Sequence, residues 1–309
     1  MNPVEKYRNT TFRSPKHFGA ALVVLMVLLL FPVSHGYAAT EDFPEDVVRI
    51  EPGHFSCSYR GVAHDYILDL PEVPEGSPLI LILPGYGSTA KSFRQNTGFE
   101  KDANPLGYTV VYVTGAPAQE DGTSSVGWNY GQWETGNDDL GFLTALARFL
   151  RQEYHADGQR IFAVGFSNGA FMVHRLAIEA SDTFSAVVSV AGAMSESVWE
   201  KRPDLLSVGV FQISGEKDDV IPKHCDGSAE YSPSPAIEDV MDYYAEANGL
   251  EKAETETAGK ASLLTKYKGS SSGRQVWHLL VREGRHSWSG ESVTGICTNR
   301  LILDYLSTQ

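Results

Sequence analysis

With 309 residues, 42% hydrophobic and 21% charged, the chain has the material for one large or two small globular domains with a sizeable core. Its net charge of −14 argues against nucleic acid or an anionic membrane surface as partner, and disfavours strongly anionic substrates. Three cysteines, Cys57, Cys225 and Cys297, suit an exported protein with one disulfide and a spare thiol. No C-x-x-C spacing or His/Cys cluster announces a metal site, so none is expected.

The N-terminus reads as a targeting segment. Lys6, Arg8, Arg13 and Lys16 form a basic stretch, followed by an uncharged run from Phe18 to Val33 and a small-x-small pattern at Gly36-Tyr37-Ala38. The run is short for a permanent span, so residues 1–38 are expected to be a cleaved signal peptide, with an uncleaved anchor as the alternative. Cleavage would leave no stable membrane partner, and the exported body would be more acidic still.

Residues 39–53 look like an extended lead-in. His54–Tyr59 and His64–Leu70 predict two strands joined at Arg60-Gly61. Leu79–Leu83 is a continuous apolar run of strand length, as in a strand buried on both faces, and Pro84-Gly85-Tyr86-Gly87-Ser88 ends it. Tyr108–Val113 is the next buried strand, followed by an irregular loop over 114–137. Asn137-Asp138-Asp139 offers capping chemistry for a helix over Leu140–Glu153. Further strands are predicted at Ile161–Val164, Ser185–Val190, Val208–Ile213 and Val276–Val281. Helices follow at Pro235–Asn248, closed by Gly249, and Ile296–Leu306. Alternating strands and helices imply a doubly wound, mostly parallel sheet opened by an antiparallel hairpin, in one domain over 54–309 without a large lid.

Gly165-Phe166-Ser167-Asn168-Gly169 lies between a predicted strand and a predicted helix. A serine on that sharp turn is the nucleophile elbow of the α/β-hydrolase fold, and side chains at the flanking glycines would crowd the turn. The alternative is a structural turn serine. A serine hydroxyl is a poor nucleophile at neutral pH, so it needs an imidazole base and a carboxylate to orient that base. In this fold they follow the serine in the order acid, then histidine. Among His224, His278 and His286, only His286 sits in a loop just past the carboxyl end of the last strand, where open α/β sheets gather their sites. His278 lies within that strand. The acid belongs to Ser214–Pro222, after the Val208–Ile213 strand. Asp218 is preferred, because Val220-Ile221-Pro222 can pack down and leave it turned inward; Asp219, Glu216 and Asp226 remain alternatives.

A tetrahedral oxyanion needs two aimed N–H donors. They are expected from the backbone of Asn168 and of Tyr86, where Gly85 and Gly87 allow close approach. Trp128, Tyr130, Trp133 and Trp288 are candidate cleft walls for a neutral polymer or aromatic acyl group, with core packing as the alternative. Asp138 and Asp139 are read as helix-capping.

Assembled, these segments resemble the secreted esterase family that includes polyhydroxybutyrate depolymerases and single-domain feruloyl or acetylxylan esterases. Leu83–Ser88 resembles its leucine-His-Gly loop, Gly127-Trp128-Asn129 its Trp-Asn segment, and Asp138–Phe142 its Asp-Asp-Val-Gly-Phe segment. Gly165–Gly169 fits its Ser-Asn-Gly elbow. Gly215–Pro222 resembles Gly-x-x-Asp-x-x-x-Pro, which places the acid on Asp218, and His286-Ser287-Trp288 resembles His-x-Trp. Pro84, Arg285 and Ser289 depart from the family's His, Gly and Pro. The resemblance implies an exported, cofactor-free serine carboxyl-ester hydrolase acting on polyhydroxyalkanoate-type or plant-polymer (feruloyl or acetyl) esters. A peptidase or acyltransferase on the same triad, and a non-catalytic binding protein, are the alternatives. A Cys225–Cys297 disulfide would tie the acid and base loops together.

Overall fold

In the computed structural model, the structure describes residues 42–117, 125–131, 137–221, 234–269 and 273–309. The expected signal peptide, residues 1–38, therefore lies outside the described residues, as do Trp133, His224, Cys225 and Asp226. Residues 43–309 contact one another as one unit.

In chain order, three strands come first: β1 (Glu45–Glu51), β2 (His54–Tyr59) and β3 (Val62–Asp69). Arg60 and Gly61 both take positive φ, 49° and 80°, which is what a two-residue turn between twisted antiparallel strands requires. The middle of the expected lead-in is thus β1, paired antiparallel with β2 as an edge strand. Its Glu45, Asp46, Arg49 and Glu51 blunt that edge with charge.

Next come β4 (Leu79–Leu83), α1 (Ala90–Thr97), α2 (Phe99–Ala103), β5 (Thr109–Val113), and the short pair β6 (Ala116–Pro117) and β7 (Val126–Gly127). Helix α3 (Asp139–Tyr154) leads to β8 (Ile161–Phe166) and α4 (Asn168–Glu179), then β9 (Ala186–Val190), α5 (Glu196–Trp199) and β10 (Gly209–Gly215). The chain closes with α6 (Ile237–Ala247), β11 (Glu251–Ala258), β12 (Ser262–Lys268), β13 (Val276–Val281), α7 (Glu291–Thr294) and α8 (Thr298–Leu306).

The large sheet has the order β1-β2-β3-β5-β4-β8-β9-β10-β13-β12-β11. Its six central strands, β5 to β13, are parallel, and antiparallel strands flank them on both edges. Two apolar layers cover the centre, and strand alternation sorts residues between them. Leu79, Leu81 and Leu83 of β4 join Phe142, Met172 and Val240 of α3, α4 and α6. Ile80 and Ile82 face the other way, with Phe93, Phe99 and Ile302 of α1, α2 and α8. Every residue of β4, β5 and β9 is buried, which is why these strands read as unbroken apolar runs. The fold is that of an α/β-hydrolase, as the sequence implied.

Candidate active site

Strand β8 ends at Phe166 and α4 begins at Asn168, so the whole reversal falls on Ser167. Its backbone takes φ 52° and ψ −118°, a conformation that costs a non-glycine residue energy and that the surrounding packing must enforce. The enforcement is visible. Ser167 N–H donates to Val190 C=O at 3.0 Å. A Cβ on Gly165 would collide with the Gly169 carbonyl, and one on Gly169 with the Leu83 carbonyl. Both motif glycines are therefore close-approach residues, between strand and helix in the first case and helix and neighbouring strand in the second.

Strands β10 and β13 lie side by side in parallel, so the loops leaving their carboxyl ends meet. Glu216 N–H donates to Val281 C=O and Lys217 N–H to Gly284 C=O, at 3.0 and 2.7 Å. A Cβ on Gly215 would come within 2.7 Å of Gly284 O. From these loops Asp218 Oδ2 lies 2.9 Å from His286 Nδ1, and His286 Nε2 lies 2.9 Å from Ser167 Oγ. The other carboxylate oxygen of Asp218 accepts the N–H groups of Val220 and Ile221 at 3.0 and 2.8 Å. A carboxylate only accepts, so Nδ1 of the imidazole must donate to it; the neutral ring then presents Nε2 as acceptor for the serine hydroxyl.

The other candidate acids are placed differently. Asp219 is exposed. Glu216 pairs with Arg282 at 2.7 Å and accepts the N–H of Glu283. Ile221 packs into the core beneath the acid loop, while Val220 stays exposed.

A cleft of about 430 Å³ opens at Ser167 and His286, lined also by Gly85, Tyr86 and Ser88 of the loop after β4, by Phe93, Asn96 and Thr97 of α1, and by Phe166 and Trp288. Trp288 stands edge-on to Phe93, with ring centroids 5.5 Å apart and planes at 89°. Its indole N–H donates to Asn299 Oδ1 at 2.8 Å, and Asn299 in turn donates to Thr97 C=O and Asp102, so α8 holds this wall rigidly. Phe93 and Phe166 did not emerge from the sequence as cleft residues. Alternation offered a signal for the second: Phe162 and Val164 face the layer containing α1, so Phe166 does too.

A model of the Prolyl oligopeptidase family matches residues 101–242, which is under half of the chain. The chain is 27% identical over 242 residues to NocK of Nocardia uniformis subsp. tsuyamanensis, which carries the name of an esterase; the match covers 71% of this chain and 68% of that protein. It is 26% identical to the bifunctional acetylxylan esterase/xylanase XynS20E of Neocallimastix patriciarum, and 24% identical to poly(3-hydroxyalkanoate) depolymerase C of Paucimonas lemoignei. Those matches cover 52% and 58% of this chain but only 22% and 47% of the relatives. Among solved structures, an acetyl xylan esterase from Aspergillus awamori superposes with a TM-score of 0.60 at 12% identity, over 80% of this chain and 94% of that one. The chain has the α/β-hydrolase fold, and the named relatives it resembles are esterases and a depolymerase.

Two of the expected wall residues prove to be core. Trp128 and Tyr130 are 1% and 2% exposed and do not line the cleft. The indole N–H of Trp128 finds an acceptor in Pro84 C=O at 3.0 Å, and Tyr130 packs on Phe171 with centroids 4.8 Å apart. Both rings are turned inward because the core satisfies them. Trp288 lies at the cleft, and Trp133 is outside the described residues.

Asp138 caps α3, accepting Gly141 N–H at 2.9 Å. Its neighbour Asp139 does not cap. It is buried and accepts Asn129 N–H at 2.6 Å, and burial pushes its carboxyl up to about 6. Of the cysteines, Cys57 is buried in β2 and Cys297 is half-buried at the start of α8; the expected disulfide rests on Cys225, outside the described residues.

Proposed function

We propose that the chain is an exported serine carboxyl-ester hydrolase working through an acyl-enzyme. The observation that carries this reading is the Asp218–His286–Ser167 hydrogen-bonded chain, 2.9 Å at each link, opening on an aromatic-walled cleft. Ser167 Oγ attacks the ester carbonyl carbon while its proton passes to His286 Nε2. Asp218 fixes the tautomer and steadies the imidazolium that forms. The backbone N–H groups of Asn168 and Tyr86 hold the oxyanion. As the tetrahedral adduct collapses, His286 returns the proton to the departing alcohol oxygen. Water then attacks the acyl-serine with His286 again as base, releasing the carboxylic acid and the free serine.

The substrate class we favour is an acetyl, feruloyl or hydroxyalkanoyl ester, on a polymer or a small molecule. The aromatic walls suit such acyl groups, and acetylxylan esterase and polyhydroxyalkanoate depolymerase are names carried by relatives. Export follows from the basic and apolar pattern of residues 1–38. One observation favours a second reading: the match to the prolyl oligopeptidase family suggests amide hydrolysis on the same triad.

The test is turnover of short p-nitrophenyl esters beside peptidyl p-nitroanilides, each by wild type and Ser167→Ala. Ester turnover lost in the variant supports the proposal, and efficient anilide cleavage would move it to a peptidase. Ester turnover that survives the substitution would overturn the mechanism. Methyl ferulate, acetylated xylan and soluble polyhydroxybutyrate oligomers then rank the substrates.

A further inference from the structure

We propose that Trp128 is a positioning residue for the oxyanion hole, a crossbar that sets the Tyr86 amide against the Asn168 amide. The inference rests on the ester-hydrolase reading above. The two amides belong to segments far apart in sequence, the loop after β4 and the first turn of α4, so local chain geometry does not fix their separation. Catalysis depends on that separation, because both donors must converge on one oxygen atom.

Strand β7 (Val126–Gly127), continued by Trp128, spans the gap. Trp128 Nε1–H donates to Pro84 C=O at 3.0 Å and Gly87 N–H donates to Val126 C=O at 2.8 Å, so bonds to this strand bracket Tyr86 on both sides. At its other end, Trp128 N–H donates to Asn168 Oδ1 at 2.7 Å, and Asn168 Nδ2 donates back to Trp128 C=O at 3.3 Å. A Cβ on Gly127 would lie 3.0 Å from the Tyr86 ring, which shows how closely strand and loop are pressed together. Next along the strand, Asn129 N–H is held by Asp139 and Asn129 C=O by Arg175, each at 2.6 Å, so the crossbar cannot slide. Trp128 is buried and away from the cleft lining, and therefore acts through its neighbours rather than on substrate. A tryptophan that merely filled space would need only some acceptor for its N–H. This one sends its indole N–H to one oxyanion segment and its backbone to the other.

The test compares Trp128→Phe, which keeps an aromatic ring and removes the indole donor, with wild type. The expected result with p-nitrophenyl butyrate is a kcat about ten- to a hundredfold lower, from misplaced donors. KM should barely move, and affinity for a boronic acid that mimics the tetrahedral adduct should fall in step with kcat. Asn168→Ala keeps the backbone donor and releases the far end of the crossbar. It should act in the same direction, and the double variant should fall no further than the worse single one. A folded Trp128→Phe with wild-type kcat, a kcat loss without loss of boronate affinity, or multiplying effects in the double variant would overturn the proposal. If Trp128→Phe does not fold, unchanged kcat and boronate affinity in Asn168→Ala overturn it alone. Absence of ester turnover by wild type would be seen first, and would remove the hydrolase reading and this inference together.

Discussion

Two histidines of this chain each bridge a pair of oxygen atoms, and they sit in opposite surroundings. His286 lies between Asp218 and Ser167, part-buried, in the lining of the cleft. His174, on α4 just behind the elbow, lies between Tyr244 Oη and Gln212 Oε1, at 3.1 Å from each, and is fully enclosed. Gln212 spends its amide N–H groups on Gly192 C=O and Ser214 Oγ, so its Oε1 must accept from His174, and the ring takes the Tyr244 proton on Nδ1. Burial drives the His174 imidazole down to about 4, keeping it neutral. The bonding patterns are alike; the partners and the access differ. A carboxylate on one side, a serine on a strained turn on the other, and an open cleft equip the first for the base role proposed above. Neutral partners and no path make the second a core fastener.

The comparison can be broken most severely at its functional end. Ser167→Ala and His286→Ala are each expected to lower kcat for p-nitrophenyl esters by on the order of 10⁴-fold or more, with the fold intact by circular dichroism. At the structural end, His174→Phe leaves Gln212 and Tyr244 with buried unpaired groups and should cost about 2–4 kcal/mol in urea unfolding. Esterase kcat per folded molecule should stay near wild type. A His174 variant that is stable but inactive would erase the distinction.

A third buried titrating group sharpens the point. Asp139 has its carboxyl raised from 3.8 to about 6, first by desolvation. Between those values the unfolded chain has lost this proton and the native chain has kept it. Stability from this group is therefore complete below about 4, falls as pH rises to about 6, and is flat beyond, a change on the order of 2–3 kcal/mol. Asp139→Asn should remove that slope. Its melting temperature should match wild type near pH 4 and exceed it at pH 8; a wild type that gains on the variant as pH rises would contradict the account. The smallest expected effect is at the cleft wall. Trp288→Ala should raise KM several-fold for butyryl and feruloyl esters and less for acetyl esters, as steady-state kinetics on the three would show.

Much of this was legible in the sequence because it depends on local rules. The apolar runs of β4, β5, β8 and β9 are buried on both faces, and glycines flank Ser167 because backbone presses on backbone there. Asp218 and His286 were reachable from chain order and strand ends. The β11–β12 hairpin was not, because Glu251–Ala258 holds no large apolar residue and alternates Glu and Thr over 254–257. Helix α1 has only Ala90 and Phe93 buried and depends on the Thr89–Ser92 capping box. Trp128 and Tyr130 misled for a different reason. An aromatic ring in a glycine-rich loop carries no local signal of direction, and the acceptor for Trp128 is a carbonyl contributed by another loop.

The central claim is that Ser167 forms a covalent acyl intermediate with His286 and Asp218 behind it. Rapid acid quench of wild type with p-nitrophenyl butyrate, followed by peptide mass mapping, tests it most directly. The account predicts a burst of nitrophenol and a butyryl group on the peptide carrying Ser167, and neither in Ser167→Ala. Steady turnover with no adduct at Ser167, or an adduct on another residue that persists in Ser167→Ala, would contradict it.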